Sequence, residues 1–295
     1  MSTSTAPSST STSEDRPQLR PDRRKSRWHY DVIGLVTAVV MAFPVYWLII
    51  SALRPNQEIR SYDQTLWPSS ITFDNFTRAV KQPNFETAIQ SSLIVSVTAV
   101  VGGMIIATLA ALAIGRFRFY GRKALLMVLI LVQMLPPTAM LIPIYAQLNA
   151  MGGLDEYWGL IVVYLVSTLP FAVVMIRGFV VNIPVELEES AMVDGCTRMG
   201  AFVRVVFPLL APGLAAASIF ALVNAWNEYL FAYILINDDS KYTLNVWLMT
   251  FTTERGTDYG ALMAASTMIA LPVVVFFMII QKKMAAGLTS GAVKG

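Results

Sequence analysis

Residues 157–213 read YWGLIVVYLVSTLPFAVVMIRGFVVNIPVELEESAMVDGCTRMGAFVRVVFPLLAPG. The stretch opens on a charge-free window, Tyr157 to Ile176, passes through a charged connection, Asn182 to Arg204, and returns to an apolar run from Val205. A hydrocarbon layer ~30 Å thick needs about 20 helical residues to cross it, and the first window supplies that length without a charged group. Outward from here the same reading repeats at Val32–Leu53, Thr87–Gly115, Ala124–Leu154, Val205–Asn227 and Tyr259–Gln281. In lipid every backbone N–H and C=O must find its partner within the segment, and none of these windows shows the alternation of a barrel strand. The fold class is therefore an all-α polytopic membrane protein with six transmembrane helices, spanning about 32–53, 87–115, 124–148, 157–181, 205–236 and 259–281. Composition excludes the soluble classes: 55% of residues are hydrophobic, 14% are charged, and the mean hydropathy is +0.57. One Cys and one His leave no disulfide framework and too few ligands for most metal centres.

The charged connection has its own local logic. Pro184 suits a first helical turn, and Glu186, Glu188 and Glu189 suit the positive end of a helix dipole, so a short helix is expected to about Val193. Gly195 permits a break with positive φ, Thr197 can cap a second helix, and Pro208 starts or kinks the next segment. Leu187, Met192, Val193, Met199 and Phe202 are interleaved with charges, as on a helix-turn-helix knob that fills a partner's groove. The same pattern would also suit an amphipathic elbow on the membrane surface.

Orientation follows from the basic flanks. Arg16, Arg20, Arg23, Arg24, Lys25 and Arg27 precede the first span, Arg116, Arg118, Arg122 and Lys123 form the second connection, and Lys282, Lys283 and Lys294 lie in the tail. The third connection has Asp155 and Glu156 without a cation, and the fifth has four acids against Lys241 and Arg255. Both termini are expected in the cytoplasm, and the basic pI of 9.0 reflects this asymmetry rather than nucleic-acid binding. Residues 1–28 are expected to be a disordered tail with a basic flank, since residues 1–13 contain ten Ser or Thr, and residues 29–295 the membrane domain. The first apolar stretch is expected to be retained as a helix rather than cleaved.

No G-x-x-x-x-G-K-[ST], H-E-x-x-H or G-x-S-x-G occurs, so ATP hydrolysis, if any, belongs to another chain, and no catalytic residue is assigned. Asp238 and Asp239, between Asn237 and Ser240, read as a turn rather than a metal site.

Glu189-Ser190-Ala191, Asp194-Gly195, and Phe207-Pro208 thirteen residues after Gly195 resemble the EAA motif of ABC importer permeases, with Ser190 where that family usually has Ala. The resemblance covers roughly residues 30–295 and is strongest to the maltose-type (MalG-like) sugar permeases. Further matches are Ser51-Ala52-Leu53-Arg54-Pro55 with Glu58, Trp67-Pro68, Thr72-Phe73-Asp74-Asn75-Phe76, Ala225-Trp226-Asn227-Glu228-Tyr229 and the closing Gly287–Gly295. The resemblance implies a type I importer fold and a multi-pass permease of the cell membrane that binds no cofactor itself. It further implies a second permease chain, a pair of cytoplasmic ATPases using ATP and Mg, an extracytoplasmic solute-binding protein and a sugar substrate. Coupling to the ATPases would fall on Glu189, Ser190, Ala191, Asp194, Gly195 and Pro208 within an EAA loop at 182–204 and just beyond it.

Glu228 is the only acid well inside an expected span, 205–236. Continuous helix there would place Asn224, Asn227 and Glu228 on one face beside Tyr229, chemistry suited to sugar hydroxyls and ring faces. A polar clamp to another chain, or snorkelling of Glu228 toward the outer interface, accounts for the same residues. Gly103, Ala107, Ala111 and Gly115 recur every four residues and predict close helix packing, and Pro136-Pro137 and Pro143 predict a kinked third span. A secondary carrier would show internal repeats and several buried acids, and a membrane glycosyltransferase remains the rival from another class.

Overall fold

The computed structural model describes residues 28–63, 65–254 and 256–291, with side chains as far as residue 281. The expected N-terminal tail, apart from Trp28, and the last four residues of the closing match lie outside that set. The chain divides into two units, residues 1–46 and 47–295. In the first, Trp28–Tyr46 is the exposed N-terminal portion of α1 (Trp28–Ala52). Trp28, placed in the tail by its sequence neighbours, is already helical.

In the second unit follow α2 (Asn56–Ile59), α3 (Asp74–Lys81), α4 (Phe85–Arg116), α5 (Arg122–Gln133), α6 (Pro137–Ala150), α7 (Tyr157–Asn182), α8 (Glu186–Val193), α9 (Arg198–Ala201), α10 (Phe207–Asn227), α11 (Leu230–Leu235), α12 (Leu244–Trp247) and α13 (Tyr259–Gly291). A two-stranded hairpin, β1 (Thr252–Thr253) with β2 (Gly256–Thr257), precedes α13. Among the described residues five helices are long and apolar enough to cross a membrane, α9 and α10 counting as one with the turn between them.

The third window is not one straight crossing. α5 and α6 meet at 101°, so a sixth span exists only as this bent pair. Pro136 and Pro137 supply no N–H, and the ring of each would collide with the carbonyl four residues back, so the helix stops at Gln133 and restarts at Pro137. The fifth expected span, 205–236, is also interrupted, between Asn227 and Leu230.

α4 and α7 form the central pair. Ala107 and Ala111 are fully buried, and a Cβ on Gly115 would lie 2.5 Å from Val180 Cγ1, so the small-residue stripe does set the approach distance. Gly103 is less demanding: a Cβ there would meet Thr168 Oγ1 at an ordinary 3.7 Å. Around Ala107, Ala111, Ile176, Val206 and Leu210 one apolar cluster fills the end of the unit that carries α8 and α9. A second cluster, with Trp226, Trp247, Phe251 and Ala265, fills the opposite end, where α3 and α12 cover α13 and the start of α4.

Candidate functional site

At one end the chain builds the helix-turn-helix that its sequence leads one to expect. α8 begins with Glu186, Glu188 and Glu189 in its first turn. It ends in a Schellman turn: Cys196 N–H donates to Ala191 O at 3.0 Å, Gly195 N–H donates to Met192 O at 3.1 Å, and Gly195 takes φ +91°. Thr197 Oγ1 then accepts from Gly200 N at 3.1 Å and caps α9. α8 packs on α9 and on the segment Phe202–Val206 that follows it, and Ala191 is the buried member of α8. Glu189, Ser190, Asp194 and Gly195 face outward, and the apolar Leu187, Val193 and Met199 are exposed beside them, Val193 by 87%. A rim of exposed apolar side chains around a rigid turn is the form a groove-filling knob requires.

Phe202–Val206 is a π turn, closed by Phe207 N–H to Phe202 O, and it leads directly into Pro208. The wider turn receives a residue that cannot continue an ordinary hydrogen-bond ladder. Pro208 thus sits in the first turn of α10, the helix-starting position expected of it, behind a local widening.

One contact at this end has no counterpart in the sequence reading. Arg116, the last residue of α4, places Nε 2.7 Å from Glu188 Oε1, while its Nη1 donates to Ile183 O at 2.9 Å. The Nε–H is not directed along the oxygen, so the Glu188 contact is an ion pair rather than an aligned hydrogen bond. Arg116 thereby ties the second membrane helix to the first helix of the knob. The only available sequence signal was its position opposite an acidic connection.

The second group of expected residues lies toward the other end of α10, and here the helix-face expectation is corrected. Asn224 and Asn227 are both on α10 and exposed, but Glu228 has left the helix with ψ 126°. Its carboxylate turns onto the start of α11 and accepts from Phe231 N at 2.8 Å and Ala232 N at 3.1 Å. A carboxylate there satisfies N–H groups that otherwise have no partner and meets the positive end of the new helix. The carbonyls freed by the break are also answered: Asn245 Nδ2 donates to Trp226 O at 2.6 Å and Tyr164 Oη to Glu228 O at 3.4 Å. Tyr164 is seven residues into α7, so the break lies ~10 Å along the membrane helix from its end, at ~1.5 Å per residue. Tyr229 is half-buried and stacks on Tyr233 at 5.4 Å. Trp226 is turned away from them, with Nε1 donating to Ile269 O at 3.1 Å.

Beyond the break the connections lock to one another. Asp155 accepts from the backbone N–H of Asn237 and of Asp238, and these bonds hold its carboxyl below the ordinary carboxylate range. Lys241 Nζ donates to Asp155 O at 2.6 Å and pairs with Glu156 at 3.1 Å. Asp238 accepts from Ser240 N and Oγ, the turn geometry its neighbours indicated.

The matched positions after the first span form a second lock. Buried Asn75 donates to Ala52 O and Arg54 O, each at 2.7 Å, and accepts from Arg78 at 2.6 Å. Arg78 also grips both oxygens of Asp258, at 2.9 and 3.3 Å. Burial raises the Asp258 pKa, but the Arg78 guanidinium, the Ala261 N–H and the Asn56 amide together hold it below its ordinary value. Among the described residues no three His, Cys, Asp or Glu side chains converge as metal ligands.

Residues 99–289 match the family described as "Binding-protein-dependent transport system inner membrane component". The chain is 43% identical to the diacetylchitobiose uptake system permease protein DasC of Streptomyces coelicolor, over 90% of this chain and 96% of that one. It is 33% identical to the trehalose transport system permease protein SugB of Mycobacterium tuberculosis, over 92% of this chain and 99% of that one. Its fold matches a chain in the crystal structure of a bacterial ABC transporter involved in import of the acidic polysaccharide alginate, with a TM-score of 0.75 at 21% identity. That match covers 89% of this chain and 99% of that one.

Proposed function

The chain belongs to the family of binding-protein-dependent inner-membrane transport components, and from that premise we propose that it forms half of the translocation pathway of an ATP-driven importer for an oligosaccharide or related sugar. It is a multi-pass inner-membrane permease and does no covalent chemistry itself. A second permease chain supplies the other half, two cytoplasmic ATPases engage the α8–α9 knob, and a solute-binding protein delivers the sugar on the opposite face. Both termini and the knob lie in the cytoplasm.

The observation that carries this reading is the knob: a short helix closed by a Schellman turn at Gly195 and a second helix capped by Thr197, rigidly joined to α4 through Arg116 and to α10 through the π turn. Such a unit, seated in a partner's groove, transmits force to two membrane helices at once. When ATP closes the ATPases, movement of the knobs alternates access to the pathway. Asn224 and Asn227 offer carboxamides, and Tyr229 a phenol, to sugar hydroxyls near the α10 break. Glu228 shapes that region through the cap on α11. The Asn and Tyr residues on this stretch and the sugar systems named for two relatives support a carbohydrate cargo.

The test is transport by the purified assembly in proteoliposomes. Uptake of labelled oligosaccharide that requires ATP inside and loaded binding protein outside is the expected result. Uptake driven by an ion gradient without ATPase would identify a secondary carrier. Sugar transfer from an activated donor would identify a glycosyltransferase.

A further inference from the structure

The connection between α4 and α5 carries a basic surface on a different segment from the α8–α9 knob. Arg116, Arg118, Arg122 and Lys123 fall within eight positions with no acid among them. Arg116 is engaged by Glu188 and Ile183, whereas the side chains of the other three have no hydrogen-bond or ion-pair partner among the described residues. They surround a hollow of about 450 Å³ with Phe119, Tyr120 and Gly121. Tyr120 is fully exposed at its rim.

The depth of this hollow follows from the chain. α4 and α5 are apolar helices ending and starting at Arg116 and Arg122, so the turn between them lies where hydrocarbon gives way to headgroups. Below it, in the first turns of α5, Leu125, Met127 and Val128 are exposed. A cationic, aromatic-rimmed hollow above an exposed apolar helix is complementary to an amphiphile with an anionic head and an acyl chain.

We propose that this surface binds an anionic phospholipid of the phosphatidylglycerol class. Arg118, Arg122 and Lys123 face the headgroup phosphate, and an acyl chain lies along Leu125 and Val128. A free phosphate ion shares the head chemistry but has nothing to place on α5. Anionic-lipid attraction per basic residue corresponds to about fivefold in affinity, so neutralising all three reduces retention on the order of 100-fold.

The experiment uses the complete importer assembly in phosphatidylcholine nanodiscs doped with phosphatidylglycerol. Native mass spectrometry counts the lipid retained by the wild type and by the R118Q/R122Q/K123Q variant. The proposal expects retained phosphatidylglycerol on the wild type, its loss from the variant, and no displacement by millimolar inorganic phosphate. Equal retention by both overturns it. So does displacement by phosphate alone, which would leave a simple anion site. Loss of the ATPases from the variant with lipid still bound would overturn it by assigning the patch to the ATPase interface. If the triple variant does not assemble, R118Q and K123Q singly carry the same comparison. Each is expected to lose about fivefold in retention, and no loss from either overturns the proposal.

Discussion

Arg116 Nε stands 2.7 Å from Glu188 Oε1, so the end of one membrane helix is held by charge to the first helix of the knob, 72 residues later in the chain. Both side chains are mostly covered, at 13% and 20% exposure, which limits solvent screening of the pair. Glu188→Ala leaves Arg116 with only its Ile183 bond and is expected to weaken coupling: ATPase stimulation by loaded binding protein falls while the complex still assembles. The exchanged pair R116E/E188R should recover part of the loss. A double-mutant cycle on melting temperature should give an interaction energy of about 0.5–3 kcal/mol, and a value near zero would remove the pair from the coupling path.

Gly195 tests the knob by backbone conformation alone. Its φ is +91°, and a Cβ there would meet nothing within 4 Å, so any penalty is conformational rather than steric. Gly195→Val should cost about 1–3 kcal/mol locally and abolish retention of the ATPases on co-purification, with insertion and pairing intact. Gly195→Asn, which tolerates the left-handed region better, should restore most of that retention. Equal behaviour of the two variants would contradict the Schellman turn as the operative feature.

Glu228 separates a shaping role from a contacting one. Removing its carboxylate in Glu228→Ala uncovers the Phe231 and Ala232 N–H groups and should cost about 1 kcal/mol, whereas Glu228→Gln keeps an acceptor and should lose less. Asn224→Ala and Asn227→Ala remove exposed side chains and should raise the KM for sugar uptake without lowering the melting temperature. Destabilisation by the Asn variants instead would place these residues in a protein interface.

The Asp155 clamp carries a pH dependence whose sign is fixed. Hydrogen bonds from Asn237 and Asp238 lower its pKa from 3.8, so the clamp stabilises fully above that ordinary value and the contribution disappears as pH falls through the lower folded value. The melting-temperature difference between wild type and Asp155→Asn should therefore be constant from pH 8 to about pH 5 and shrink below about pH 4. A difference that grew on acidification would contradict it.

Topology is checked by thiol labelling after Cys196→Ser. A cysteine at Ser240, exposed on the face of the locked connections, should react with an impermeant reagent in intact cells. One at Val193 should react only after permeabilisation. The reverse pattern would invert the orientation.

The knob was legible because every device in it is local. Acids in the first turn, Gly195 at the left-handed position and Thr197 as cap are each decided within a few residues, and the four-residue stripe on α4 is likewise a periodicity. The third span was legible only as kinked, since prolines announce a break but not a 101° turn. Glu228 was placed on the wrong element because helix periodicity carries on through residues whose exit depends on Asn245 and Tyr164, partners 17 and 64 positions away. Of the Asn75–Arg78–Asp258 lock only Asn75 fell in a matched string, and the unit was not visible because Arg78 and Asp258 are 180 residues apart.

The π turn at Phe202–Val206 acts as a phase setting on everything beyond it. Such a turn accommodates one residue more than the α geometry, and at 3.6 residues per turn one residue corresponds to about 100° of azimuth. The compass bearing at which Asn224 and Asn227 leave α10 is thus decided some twenty residues earlier, at the root of the knob. Deleting a single residue there would leave every local sequence signal downstream unchanged while swinging the carboxamides about a quarter-turn around their own axis, so the alignment between drive end and cargo end is written in a count of residues rather than in any one side chain.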